Sequence, residues 1–238
     1  MTMTLSERPR QRTSRSAVPD TPADRLRQET AAVRVSFTWF GTRKALTAGQ
    51  KAEAAEAFGA EEKFLSAGKK LLDTRHPHFK AVTGIKGQAT AYWRSVSLSY
   101  PEPGLRLIRR DQIEDFSRTM GEFKRELDQA VRALDRELES LKSAAQARLG
   151  RLFDPTDYPR SLDGEFDLIW DFPSIEPPDY LRRLHPDLYR EECRRAQSRF
   201  DEAVRLAETA FTEELSKLVE HLQERLTGSG TGAVIICG

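Results

Sequence analysis

The chain of 238 residues is long enough to bury a core without metal ions or disulfides. Its 38% apolar and 32% charged residues are typical of soluble, helix-rich proteins, and no apolar run approaches the roughly 20 residues that a membrane helix needs. The N-terminal segment has no apolar core of a secretory signal, and two cysteines, Cys193 and Cys237, argue against a disulfide framework. These features predict a cytoplasmic protein.

The segment 1–32 is predicted to be a disordered basic arm. It holds four closely spaced arginines, Arg8, Arg10, Arg12 and Arg15, among Ser, Thr and Pro, with little apolar surface to bury. An arm that grips nucleic acid is the functional alternative for this segment.

Residues 33–110 are predicted to form an α+β head. Val33–Phe40 alternates apolar and polar residues, which indicates a half-buried strand. Thr47 and Gln50 match a capping box that opens a short helix through Phe58, and Glu61–Leu72 is expected to form another helix. Pro77 suits the first turn of a further helix, and Leu105–Ile108 is expected to be a short strand.

Two long helices are predicted over 111–152 and 188–228. The first opens with a possible capping box, Asp111 to Glu114, and its apolar residues recur every 3.5 positions on average, about the spacing of a coiled-coil seam. The second helix begins near Pro186 and carries a similar stripe. Their matched lengths favour an antiparallel hairpin within one chain, with a self-paired dimer as the alternative. The stripe of the second helix includes Ala196, Phe200, Ala203, Ala207, Phe211, Leu215, Leu218 and Leu222.

The segment 153–187 is an acidic, proline- and aromatic-rich insert between the long helices. Phe166, Leu168, Trp170 and Phe172 alternate with polar residues, which predicts a strand that returns to the head. With the two strands of the head it is expected to form a small antiparallel sheet. The predicted fold is therefore α+β and predominantly helical, with a coiled-coil-like hairpin on a small head and a flexible tail at 229–238.

A basic block within the head is the main candidate for a nucleic-acid interface. Lys69–Arg110 has nine basic and two acidic residues, a net charge of +7, whereas the insert has three basic and nine acidic residues, a net charge of −6. Opposite charges of this size can dock on each other or face separate partners. The candidate phosphate-binding residues are Lys69, Lys70, Arg75, Lys80, Lys86, Arg94, Arg109 and Arg110.

Four other patterns are interpreted as structural, so no catalytic, cofactor or metal residue is predicted. Gly228–Gly232 lacks the strand and lysine of a phosphate loop. His76 and His78 lack a second ligand cluster, and Cys193 lies on a helical stripe, where cysteine packs as a small apolar residue. The acidic residues of the insert are expected to be solvated; they are Asp154, Asp157, Asp163, Glu165, Asp167 and Asp171.

Three segments together resemble an uncharacterised family of bacterial and phage proteins, a domain of unknown function. They are Val33–Phe40, Ser66–Asp73 and Phe166–Phe172, and the resemblance spans roughly residues 33 to 226. It implies a similar layout with a long helical middle, no established activity and an adaptor role beside ring-shaped ATPases.

The sequence therefore predicts a non-enzymatic interaction or scaffold protein, with the helical hairpin as the docking surface. The alternative function is nucleic-acid binding through the basic block. A third hypothesis, an enzyme, would need a deep polar pocket between the insert and the head.

Overall fold

The computed structural model describes residues 21–226, and that range contains both helices and strands. In chain order they are α1 (Pro22–Glu29), β1 (Thr30–Thr38), β2 (Arg43–Ala45), α2 (Ala48–Phe58), β3 (Gly68–Lys70), α3 (Pro77–Ser95), β4 (Ser97–Ser99), β5 (Leu105–Arg109), α4 (Ile113–Arg136), α5 (Leu138–Leu149), β6 (Asp167–Asp171), α6 (Asp179–Leu184) and α7 (Pro186–Leu226).

The main sheet is antiparallel and has the strand order β4-β5-β1-β6. Strand β1 is central: its first half pairs with β5, so that Ala32 lies opposite Leu107, and its second half pairs with β6, so that Phe37 lies opposite Leu168. All three predicted strands are present in this sheet, and β4 adds a fourth. A separate two-stranded sheet joins β2 to β3.

Alternation along the strands directs apolar side chains into two separate cores. Val33, Ile108 and Leu168 contribute to a large core with α3, α4 and α5. Ala32 and Leu107 point the other way and pack with Phe200 of α7 in a smaller core that also includes α1. Because successive strand residues face opposite sides of a sheet, the two cores lie on its two faces. The molecule therefore has a helical layer on each side of the sheet.

The fold class, a predominantly helical α+β protein, is confirmed, but the predicted hairpin between the long helices is wrong. Helix α4 packs against α3 and β6, whereas α7 packs against α1, α6 and β4. The two long helices cover opposite faces of the sheet, which separates them. Where it is buried, the apolar stripe of each long helix packs on the sheet or on a shorter helix, since β1 and β5 carry apolar residues on both faces of the sheet.

Two helix boundaries in this region also differ from the prediction. A single turn of 3₁₀ helix at Arg110–Gln112 precedes α4, and no capping box forms at Asp111. The first long helix is interrupted at Glu137, which divides it into α4 and α5. Helix α5 ends at Leu149, three residues before the predicted end at 152, and Gly150 follows with a φ of +52°, a conformation that favours glycine.

The predicted disorder of residues 1–32 is wrong for 21–32, while 1–20 lie outside the described residues. Thr21 caps α1 by accepting a hydrogen bond from the Asp24 amide, and Pro22 occupies the first turn. Ala23 is buried against the α7 layer, and β1 begins at Thr30. A helix as short as α1 is not stable on its own, so its packing against α7 stabilises it.

Residues 39–76 contain one confirmed helix and one error. Helix α2 carries both hydrogen bonds of the capping box between Thr47 and Gln50. The helix predicted over Glu61–Leu72 is wrong, because only a short 3₁₀ turn forms and β3 follows it. A β-carbon on Gly68 would lie 3.0 Å from the Lys44 carbonyl oxygen, so the close approach of β2 and β3 favours glycine there.

The segment after α5 straps this small sheet to the body through a buried ion pair. Lys69 Nζ lies 2.6 Å from Asp157 Oδ2 and also donates to the Leu152 carbonyl, and the two charged side chains are only 4% and 2% exposed. Lys44 reaches Asp157 from the solvent side, and the Tyr158 hydroxyl donates to the Leu71 carbonyl at 2.9 Å. Hydrogen bonding by Lys44 and Lys69 lowers the pKa of Asp157 below its usual value.

Replacing Asp157 with Asn is expected to destabilise the protein, because it leaves the buried ammonium of Lys69 without a counter-charge. We expect a loss of about 3–5 kcal/mol in the free energy of unfolding. Urea unfolding followed by circular dichroism measures it. The matched control is Glu61→Gln, which breaks the exposed Lys63–Glu61 pair and should cost less than about 1 kcal/mol. Equal losses in both variants would contradict a structural role for the strap.

Candidate interaction surface

The basic block is divided among several internal contacts rather than gathered on one face. Lys69 is buried against Asp157 of the acidic insert. Lys86 lies over the ring of Trp39, with its Nζ 4.2 Å from the ring centroid. Arg106, half-buried, donates from Nε to the Ser97 hydroxyl at 2.7 Å. These three cations contribute to the packing of the head, which leaves less of their charge for a ligand.

The remaining members of the block divide into paired and unpaired side chains. Arg75 pairs with Asp73, Arg109 pairs with Asp111, and Arg110 donates to the carbonyl oxygen of Thr30. Among residues 21–226, Lys70, Lys80 and Arg94 have no ion-pair partner. Lys80 and Arg94 lie near opposite ends of α3, about 21 Å apart along the helix axis. Five of the eight predicted phosphate-binding residues are therefore engaged in contacts within the chain, and the other three lie on β3 and α3.

A cleft of about 730 Å³ lies between residues 70–76 and α5. Asp73 is held there by the Arg75 amide at 3.0 Å and by Arg148 at 3.2 Å. Hydrogen bonds from the amide and side chain of Arg75 lower the pKa of Asp73 to about 2. A carboxyl group with this pKa is ionised at neutral pH and is poorly matched to general acid–base catalysis.

The other residues singled out from the sequence take structural positions. Asp154 caps a 3₁₀ turn by accepting from the Thr156 amide at 2.9 Å, Asp167 pairs with Lys124, and Asp171 pairs with Arg34. The insert carboxylates are therefore used in ion pairs and caps more often than the sequence predicted.

His76, His78 and Cys193 do not lie in a recognisable site within the described region. The rings of His76 and His78 are 5.5 Å apart, and no group of three or more His, Cys, Asp and Glu residues between 21 and 226 could hold a metal ion. Cys193 is half-buried on α7. Cys237 and the segment Gly228–Gly232 lie outside the described residues.

The distal half of α7 carries a run of large apolar side chains that are exposed in the described chain. The helix has 41 residues, and its contacts with the body end after Ala207, so that every residue from 208 to 226 is exposed. At 1.5 Å per residue, this part projects about 28 Å. The exposed fractions of Phe211, Leu215, Leu218 and Leu222 are 70%, 50%, 59% and 57%. We call residues 208–226 the projecting segment and these four side chains its seam.

The sequence identified the seam but assigned it the wrong partner. Its 3–4 residue spacing predicted a helical stripe, and the first long helix was expected to cover it. In the structure Ala196, Phe200 and Ala203 are buried against the body, and the same stripe continues beyond the body without cover. Val219 and Leu226, which widen the apolar surface, were missed because they lie beside the regular repeat.

Comparisons with protein-family models, curated proteins and solved structures found no match to this chain. The resemblance to the uncharacterised bacterial and phage family therefore stays a prediction. None of the helices between residues 21 and 226 has the length and apolar character that a membrane span requires.

The lowered pKa of Asp73 makes the free energy of unfolding depend on pH in the acidic range. Its pKa of about 2 in the folded protein is below the ordinary value of 3.8. It therefore stabilises the native state above about pH 4, and this contribution is lost as the pH falls from about 4 to about 2. An asparagine at position 73 can still accept a hydrogen bond from the Arg75 amide, but it carries no charge.

We expect wild type to be more stable than Asp73→Asn at pH 6 and expect that difference to disappear near pH 2. Urea unfolding at a series of pH values measures it. Asp163→Asn, at an exposed carboxylate with no ion pair among the described residues, controls for the loss of one negative charge. A stability difference that does not change between pH 6 and pH 2 would contradict the ionised Asp73–Arg75 contact.

Proposed function

We propose that this chain is a non-enzymatic protein-interaction protein that binds a partner helix along the projecting segment of α7. The observation that carries the proposal is the exposed seam. Contiguous apolar surface that extends beyond a folded body is typical of a binding site. An amphipathic helix docks such a surface through residues at positions i, i+3, i+4 and i+7, and the seam has this spacing.

The energetics favour a bound state of the segment. Full burial of a Leu or Phe side chain contributes about 1.5–3 kcal/mol, and the seam offers several such side chains. A helix of this length without tertiary contacts is only marginally stable in water. A partner that buries the seam would therefore stabilise the segment as well as bind it.

A catalytic role has less support. The cleft beside α5 contains a carboxylate that is ionised at neutral pH, and no side-chain hydrogen bond among residues 21–226 joins His76 to Ser140 or to Asp73. A nucleophile with its base would need such a bond or a close approach. An adaptor role beside an ATPase, and a location in the cytoplasm, remain predictions that rest on the sequence.

Nucleic-acid binding is the alternative function, and the exposed cations Lys70, Lys80 and Arg94 would carry it. The triple reversal Lys70→Glu, Lys80→Glu, Arg94→Glu spares the buried Lys69 and should leave the fold intact. Phosphate contacts make binding fall steeply with salt, and their removal weakens it. If the protein shifts a DNA or RNA oligonucleotide in a gel and the triple variant does not, the alternative replaces the proposal.

Site-specific photocrosslinking tests the proposed docking surface. An apolar photoreactive residue at Leu218 lies on the seam, whereas the same residue at Glu220 lies on the outward side of the helix. We expect protein adducts in host-cell extract from position 218 and few or none from position 220, because only the seam is buried by the partner. Gel electrophoresis and mass spectrometry measure the adducts.

Equal yields from the two positions, or no adduct from either, would contradict docking through the seam. Circular dichroism of both labelled proteins shows that the fold is retained, which is expected because neither side chain packs against the body.

A further inference from the structure

The charges that flank the seam identify the partner. Phe211, Leu215, Leu218 and Leu222 occupy alternating d and a positions of a heptad repeat, and the next core positions at the two ends are Glu208 and Arg225. One end of the seam is therefore acidic and the other is basic. We propose that a second copy of this chain binds the projecting segment in antiparallel orientation, a proposal that rests on the docking function of the seam.

The antiparallel arrangement makes every core layer complementary. In antiparallel coiled coils a positions meet d positions of the other helix. Phe211 then lies opposite Leu222 of the second copy, Leu215 lies opposite its Leu218, and two-fold symmetry repeats both layers. The next layer at each end places Glu208 opposite Arg225 of the other copy. Neither of these two side chains has an ion-pair partner in residues 21–226 of the single chain.

The other registers and the parallel orientation are disfavoured by the same residues. A shift of one heptad in one direction places Arg225 opposite Leu215, and a shift in the other places Glu208 opposite Leu218. Parallel pairing in register places Glu208 opposite Glu208 and Arg225 opposite Arg225, which are like charges. The acidic Glu213 and Glu220 occupy outward positions and do not face the second copy in the antiparallel pair.

The length of the free helix fits this pairing. In the proposed register Glu208 of one copy is level with Arg225 of the other, so the overlap ends where the contacts of α7 with its own body end. The two bodies therefore lie at opposite ends of the paired segment and do not compete for the seam. The overlap is about 28 Å long, which is a small interface, and we expect dimerisation to be concentration-dependent.

Charge variants of the full-length protein test both the partner and the orientation. In the antiparallel pair, Glu208→Arg places an arginine opposite Arg225 of the other copy at each end. Arg225→Glu likewise places a glutamate opposite Glu208. Each should weaken dimerisation at least about tenfold, and the double variant should restore it. Sedimentation equilibrium over a range of concentrations measures the dimer constant. Glu213→Arg, the same charge change on the outward side, is the matched control and should leave that constant unchanged.

Glu208→Gln separates the two orientations. It removes an attraction from the antiparallel pair and weakens it, whereas it relieves a repulsion in a parallel pair and strengthens it. Dimers that tighten in Glu208→Gln, or that respond equally to Glu213→Arg, would overturn the antiparallel assignment.

The mass of the adduct formed at position 218 distinguishes failure of this inference from failure of the docking function. An adduct of twice 27.0 kDa supports the self-pair. An adduct with a different protein, together with a monomer at every concentration, overturns the self-pair and keeps the docking function. The absence of any adduct at position 218, with a monomer in sedimentation, overturns both.

Discussion

The architecture depends on the central strand, because the first half of β1 has apolar side chains on both faces. Val33 and Ala32 point to opposite sides, and both are buried. A sheet with this pattern needs a helical layer on each side, since exposed apolar faces cost free energy. The layer over Val33 comes from α3, α4 and α5, and the layer over Ala32 comes from α1 and α7. The long helices are therefore committed to different faces and cannot pair with each other over their buried parts.

Local patterns in the sequence predicted the elements better than their packing. The strands around Phe37, Leu107 and Leu168, the cap at Thr47 and the stop at Gly150 follow from residues within one turn or strand, and they are present. The segment Thr21–Asp24 also contains a cap, a first-turn proline and an acidic residue, but the polar, arginine-rich composition of residues 1–32 as a whole predicted disorder instead. The helix predicted over 61–72 was wrong because β3 forms there instead. The close approach of the Lys44 carbonyl oxygen, which favours glycine at position 68, comes from a residue far away in sequence and is not visible in the local pattern.

The hairpin could not be excluded from sequence, because a heptad stripe shows that a helix buries one face but not what covers it. The apolar stripe of α7 is buried against the body around Phe200, whereas its distal half is exposed. Charge segregation was also ambiguous. The net charges of the basic block and the acidic insert were compatible with docking on each other or with separate partners, and the buried Lys69–Asp157 pair is a contact of the first kind. Because many charges are used within the fold, the partner surface that we propose is the exposed seam rather than a charged patch.

Amide hydrogen exchange along α7 tests the central claim, that the two long helices cover opposite faces of the sheet and leave the distal half of α7 free. It is measured at a protein concentration where sedimentation shows a monomer. The account predicts slow exchange around Ala196–Ala203, which pack on the sheet, and fast exchange across Phe211–Leu222, which have no cover. Uniformly slow exchange along the whole of α7 in the monomer would contradict it, because that protection would require another part of the same chain to cover the distal half.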